Sequence, residues 1–432
     1  MYFFQLSFAT TATTVVSGAL AERCNFKAYV VFSVVHIVIY CIPAHWILHP
    51  DGWLKRLGAL DIGGAGIVHM LGGLTGLVGC VVVGPRTGRF DGGRQRNFTH
   101  MDSPTNALLG LFMLWWGWLG FNCGSSYGVA GGKWKLAAKA AVTTINSSVA
   151  GGTVAFILSY WLKKGIFDIS YIINGVLGAL VAITSLCAVV TPGEGLVVGA
   201  VGSAVTLASQ ELLPLLGVDD PVGAVSVHGV AGAWSLLAVG LFTTADPTEE
   251  GIVTKSGVFN GGNWDLMTSQ VLYLVTISVW TVVVTLVLLK PIDLLIGVRS
   301  DITFEIFGAD LIEHNVRGRF DEETKCLFDE SDRFIGQLSA AGSANRRREC
   351  EQLYLKLLKS NEESRFRKSE LQTGEPVAKT ADKSWREFSF SCCTLKQKQE
   401  FNLSAAAAAA AGVRASARNK VSPILADTPM GS

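Results

Sequence analysis

The sequence predicts an all-α polytopic membrane protein built as an inverted repeat, and three observations carry that expectation. About nine stretches of the first 298 residues are apolar for long enough, at 1.5 Å rise per residue, to cross a hydrocarbon core of about 30 Å. Charge is partitioned: residues 1–298 hold 15 Lys/Arg and 15 Asp/Glu, whereas residues 299–432 hold 21 and 20. Finally, 49% of the 432 residues are hydrophobic against 16% charged, too apolar for a disordered chain. A net charge of +1 supplies no uncompensated basic cluster, so nucleic acid is not an expected partner.

Taken in order, the first span, 3–21, opens directly at Met1 and carries Gln5, Ser7 and Thr10, Thr11, Thr13 and Thr14. Ala19-Leu20-Ala21 fits a signal-peptidase pattern, but no basic segment precedes it, so it reads as a retained helix. The second, 28–48, lies between Lys27 and the Lys55-Arg56 loop, and the third, 64–84, between Asp61 and the basic loop of Arg86, Arg89, Arg94 and Arg96. The next two, 105–122 and 136–161, flank a loop holding Lys133 and Lys135; Lys163-Lys164 closes the latter. Spans at 170–190, 194–212 and 223–243 follow, with Asp219-Asp220 before the last of them, and 267–296 runs from the loop of Lys255 to Arg299.

Alternate loops set the orientation. One side collects ten Lys/Arg, including Arg23, Lys27, Arg86 and Arg299; the other collects six, Lys55, Arg56, Lys133, Lys135, Lys139 and Lys255. The first side is therefore expected in the cytoplasm, with the C-terminus. Residues 299–432 are expected to form a mostly disordered cytoplasmic tail ending in an alanine run at 405–411, with a transient helix near 349–359. The Asn97-Phe98-Thr99 sequon falls on the cytoplasmic side, where it would stay unused. Nine cysteines without a CxxC pair favour neither zinc nor a disulfide framework; Cys392-Cys393 reads as an exposed pair or a palmitoylation site.

An ionisable side chain inside a span is costly unless it pairs or faces water, which singles out His69 and His228. Each follows an aspartate by eight residues, Asp61 and Asp220, and each is flanked by glycines. On a continuous helix that spacing puts the carboxylate about 12 Å nearer the membrane surface. The matching contexts suggest repeats meeting at the midplane, with glycines close enough for the imidazoles to touch. Two histidines sharing one proton offer an acceptor nitrogen and an N–H along a dry passage, which suits a small neutral hydrogen-bonding solute. A metal site would need a third ligand, and two unrelated core histidines remain the plainer alternative. Trp115-Trp116-Gly117-Trp118 through Ser125 reads as an interfacial aromatic belt or as a cation-binding mouth with Ser125 as acceptor. No nucleophile or metal constellation points to an enzyme, and no cofactor is expected.

Several stretches together resemble the ammonium transporter family of the Amt/Mep/Rh superfamily, over about residues 3–315. They are Phe4-Gln5-Leu6-Ser7-Phe8-Ala9, Gly18-Ala19-Leu20-Ala21-Glu22-Arg23, Asp61-Ile62-Gly63-Gly64 through His69, Gly117-Trp118-Leu119-Gly120-Phe121-Asn122, and Asp219-Asp220-Pro221 through His228-Gly229. The resemblance implies a homotrimer in the plasma membrane with a pore through each subunit. It implies Phe8 and Phe121 as the stacked gate, with Phe4, Ser125 and Asp61 at the outer ammonium vestibule and His69 and His228 as the pore's twin histidines. Ammonium or ammonia, with methylammonium as analogue, is the implied substrate, and NH3 the species passing the gate after NH4+ loses its proton.

Two departures from the family pattern are visible. Where the family carries a vestibule tryptophan, this chain reads His45-Trp46-Ile47-Leu48-His49, and loss of that ring is expected to weaken cation capture about 2- to 30-fold. The family has eleven helices, so the chain is expected to lack the first two. Glu305-Ile306-Phe307-Gly308 through His314 resembles the family's regulatory segment at 299–315, which docks on a neighbouring subunit; phosphorylation of tail Ser or Thr would add charge that undocks it. A non-transporting ammonium sensor or regulatory subunit, or an inactive truncated isoform, is the alternative to a transporter.

Overall fold

The computed structural model describes residues 2–87, 89–91, 94, 95, 101, 103–245, 255–301, 304, 305 and 309. The chain divides into two units, Met1–Glu322 and Glu323–Ser432. The second lies outside the described residues, as do the Asn97 sequon, the 349–359 segment, the cysteine pair at 392–393 and most of the regulatory stretch.

Among the described residues, nine helical rods occupy the nine expected apolar stretches. They are α1 (Tyr2–Leu20), α2 (Phe26–Leu48), a π-helical turn Ala65–Met70 running into α4 (Leu71–Val83), α5 (Pro104–Gly124), α6 (Lys133–Leu162), α7 (Ile169–Thr184), α8 (Pro192–Leu215), a second π-helical turn Val225–Val230 running into α9 (Ala231–Phe242), and α10 (Asp265–Leu295). A one-turn α3 (Trp53–Arg56) follows α2, and a two-residue antiparallel ladder pairs Phe90–Asp91 with Arg94–Gln95. Seven of the rods are long and apolar enough to cross a bilayer by length and composition. The other two are α7, with 16 residues, and the threonine-rich α1. In α1 the hydroxyls of Ser7, Thr10, Thr11, Thr13, Thr14 and Ser17 donate back to carbonyls three or four residues earlier, so the helix satisfies its own polar side chains.

Local chemistry sets the helix starts. The Asn25 side chain accepts from Lys27 N, Ser103 from Asn106 N ahead of Pro104, and Asp168 from Tyr171 N. Thr191 and Glu194 form a capping box around Pro192. The helices group as α6, α7 and α8 packed on one another, α1 on α4, and α10 along α2, α4 and α9. The two π turns touch. Phe8, Val16, Phe32, Ile39, Ile67, Leu71, Tyr273 and Ile277 form the largest buried apolar cluster, on the α1, α2, α4 and α10 side.

The structure departs from the sequence reading at the aspartates. Asp61 is not on the helix that carries His69; that helix begins at Ala65, and Gly64, at φ 84°, turns the chain into it. Hydropathy gives no warning of this, because a π turn inserts a residue without altering apolar content.

Candidate functional site: paired histidines beneath an aromatic stack

Asp61 caps the first π turn. Its Oδ1 accepts from Gly64 N (2.9 Å), Ala65 N (2.8 Å) and Ser185 Oγ (2.8 Å). Its Oδ2 accepts from Gly66 N (2.9 Å), Ile67 N (3.3 Å) and Tyr273 Oη (2.8 Å). Six donors converge on one carboxylate, satisfying the orphan amides that any helix start leaves open. Asp220 repeats the device on the second π turn, accepting from Ala224 N (3.0 Å) and Val225 N (2.7 Å). Burial pushes the Asp220 carboxyl up to about 6, against the downward pull of those amides.

The two turns carry His69 and His228 to each other, their Nδ1 atoms 3.1 Å apart and their rings stacked at 5.1 Å between centroids. Glycines 73 and 229 meet at this crossing and let the backbones approach. A nitrogen–nitrogen contact of that length needs one donor and one acceptor. Between two neutral rings, therefore, one carries its proton on Nδ1 and the other on Nε2. The pair then presents one N–H and one lone pair on its outward Nε2 atoms. The Nε2 of His69 is buried and has no protein partner among the described residues.

His69 lies between His228 and Trp118, whose ring stacks on it at 4.9 Å and 13° while Trp118 Nε1 donates to Thr184 Oγ1 at 2.9 Å. Trp115 also turns inward, donating to Ser148 Oγ at 2.9 Å, and only Trp116 of the three projects outward. Above His69 stands Phe121, 5.4 Å between ring centroids, and Phe121 lies flat against the buried Phe8 at 4.3 Å and 1°. Phe4 adjoins Phe8 at 4.5 Å and Tyr127 at 5.5 Å.

Beyond the stack is a cavity of about 230 Å³ whose walls include Leu48, Asp61, Ser125, Ser126 and Tyr127. Ser125 Oγ donates to Phe121 O at 2.9 Å, which leaves its lone pairs as the polar feature offered to an occupant. The cavity wall at Ser125 is tied to Phe121 by that hydrogen bond, and Phe121, His69 and His228 follow one another in contact. All seven residues singled out by sequence, Phe4, Phe8, Asp61, His69, Phe121, Ser125 and His228, lie along this line, Asp61 on the cavity wall and at the helix start. Sequence reading missed Trp118, Ser185, Tyr127 and Tyr273. Trp118 was visible as part of a tryptophan cluster; the others reach the site from distant segments with no local pattern to mark them. No group of three His, Cys, Asp or Glu able to hold a metal occurs among the described residues.

A charged cluster lies apart from the histidines, around the α1 terminus and the loops after α4 and α8. Arg23, fully buried, donates to the carbonyls of Ala19 (2.6 Å), Gly84 (3.0 Å) and Asp219 (2.7 Å). Arg86 grips the Asp219 carboxylate with Nε (2.8 Å) and Nη2 (2.9 Å) and also pairs with Glu22. Burial alone would raise the Asp219 carboxyl, but the hydrogen bonds and charge of Arg86, with the charge of Arg23, hold it below its ordinary value. Glu305, at the start of the expected regulatory stretch, accepts from Thr87 Oγ1 (2.8 Å) and Arg299 Nε (2.7 Å).

A family model described as "Ammonium Transporter Family" matches residues 1–318. Among curated proteins, the chain is 39% identical over 319 residues to "Putative ammonium transporter 3" of Caenorhabditis elegans, covering 73% of this chain and 46% of that protein. It is 35% identical over 328 residues to "Ammonium transporter Amt2" of Archaeoglobus fulgidus, covering 73% of this chain and 69% of that one. The chain thus spans about half the length of its worm relative. Among solved structures it resembles a "Sensor Amt Protein" with a TM-score of 0.66 and 28% identity, over 72% of this chain and 76% of that one.

Proposed function

The chain belongs to the ammonium transporter family, and from that premise we propose that it moves ammonium across a membrane through its own helices. In this reading the cavity at Asp61, Ser125 and Tyr127 captures NH4+, the ion gives up its proton, and NH3 passes Phe8 and Phe121 to run along His69 and His228. The observation that carries the reading is the contact between the two imidazoles, His69 buried and His228 partly so, with Phe121 of the flat phenylalanine pair packed against His69. An apolar passage sets the order of events, because moving a charge through it costs far more than moving the neutral amine. The amine's own N–H groups and lone pair match the donor and acceptor that the histidine pair presents.

The helices that would host this passage form a multi-pass membrane protein; assembly as a homotrimer in the plasma membrane, with the tail from 299 onward in the cytoplasm, is part of the same proposal. A second reading, a sensor that binds ammonium without conducting it, draws support from the likeness to the sensor protein's structure. Uptake of radiolabelled methylammonium in cells stripped of their own carriers separates the two. The transporter reading expects uptake by the wild type and its loss when His69→Ala and His228→Ala are combined. A silent wild type with intact surface expression sinks it in favour of the sensor.

A further inference from the structure

The cavity that the proposed function treats as a cation vestibule is lined by two lysines, Lys55 from α3 and Lys133 from the first residue of α6. They come from separate segments and enclose the same space as Asp61, whose carboxylate is the single acidic group on its walls. Lys133 Nζ lies 3.3 Å from the carbonyl of Tyr127, which also lines the cavity. Lys55 makes no side-chain hydrogen bond and no close ion pair with the described residues, and the opposite charge that acts on it is that of Asp61. Asp61 supplies one negative charge against the two lysines, which leaves the wall net positive.

A sphere of about 230 Å³ is roughly 8 Å across, no wider than one Debye length at physiological ionic strength. Both lysines border this space, so a monovalent cation entering it passes within about one Debye length of the walls they form. We propose that Lys55 and Lys133 set the affinity of the vestibule by repelling the incoming cation, so that capture is weak at low ionic strength and tightens as salt screens the lysines. The inference rests on the proposed cation vestibule and deepens it: these residues touch the entering ion's field and not the histidine passage, so they govern capture and leave the later steps alone.

The test uses the full chain, purified and also reconstituted in proteoliposomes, with radiolabelled methylammonium as probe at about 10 mM and about 150 mM ionic strength. Lys55→Gln combined with Lys133→Gln is expected to lower both the equilibrium Kd and the uptake KM about 3- to 30-fold at low salt, the range two like charges acting over about a cavity's width produce. Vmax stays unchanged, and the wild-type improvement with salt disappears. Lys55→Arg with Lys133→Arg keeps the charge and behaves as wild type. Unchanged Kd and salt dependence in the Gln variant overturns the proposal, as does equal tightening in the Arg variant or no binding to either protein. Binding without uptake sinks the transport reading alone, since the Kd comparison still decides the role of the lysines.

Discussion

A Cβ placed on Gly73 would fall 2.2 Å from the backbone nitrogen of Gly229, whereas a Cβ placed on Gly229 finds its nearest Gly73 atom at 3.6 Å. The first distance is a collision with backbone, which has no rotamer to yield; the second is ordinary contact. Gly73→Ala is therefore expected to force α4 and the second π turn apart and cost about 1–3 kcal/mol or more, with the histidine contact broken. Gly229→Ala is expected to stay within about 1 kcal/mol of wild type. Thermal unfolding of the purified protein, followed by size-exclusion retention, reads the difference, and equal effects at both positions would contradict the geometry.

The carboxylate of Asp61 receives donors on both oxygens, so an amide cannot replace it. In Asp61→Asn one oxygen becomes an NH2 that faces N–H or O–H donors, leaving buried groups unsatisfied at a cost of about 1–3 kcal/mol each. Destabilisation of this order and loss of methylammonium uptake are expected together. A variant with wild-type melting behaviour would mean that the cap is dispensable.

Acid should loosen the Arg86–Asp219 grip. Because the folded chain holds the Asp219 carboxyl below its ordinary value of 3.8, the pair contributes its full stabilisation above the ordinary carboxylate range and loses it as pH falls through the depressed value. Wild-type stability should thus drop as pH falls from about 5 toward 2. Asp219→Asn should lie about 1–3 kcal/mol lower at pH 7, since the largely buried guanidinium of Arg86 then keeps Glu22 but loses its buried carboxylate partner, and show a flatter response in acid. Melting curves across that pH range decide; a parallel acid response in the two proteins would mean other carboxylates dominate.

Leu48 lines the cavity, at the position where the sequence resemblance implies a tryptophan. Restoring the ring with Leu48→Trp should strengthen methylammonium capture about 2- to 30-fold through cation–π attraction. The change belongs in KM, at constant surface expression. An unchanged KM would place the ring outside the ion's approach.

Much of this arrangement was legible in the sequence because it is written locally. The repeated eight-residue interval from Asp61 to His69 and from Asp220 to His228 marks two equivalent devices, and apolar length alone accounts for seven of the nine rods among the described residues. What was not legible depends on contacts between distant segments. Tyr273 and Ser185 reach Asp61 from more than a hundred residues away, and Lys55 read only as one of the charges of an outward-facing loop. Hydropathy measures how apolar a stretch is, so it could not distinguish a helix carrying Asp61 from a shorter one capped by it.

The single hydrogen held between His69 and His228 has one more implication. Two π turns that share one capping device are never chemically identical at the same instant, since one ring must give while the other takes. Exchanging those parts requires protons to relocate on both imidazoles in concert, so the midpoint of this molecule carries a polarity that its doubled architecture does not.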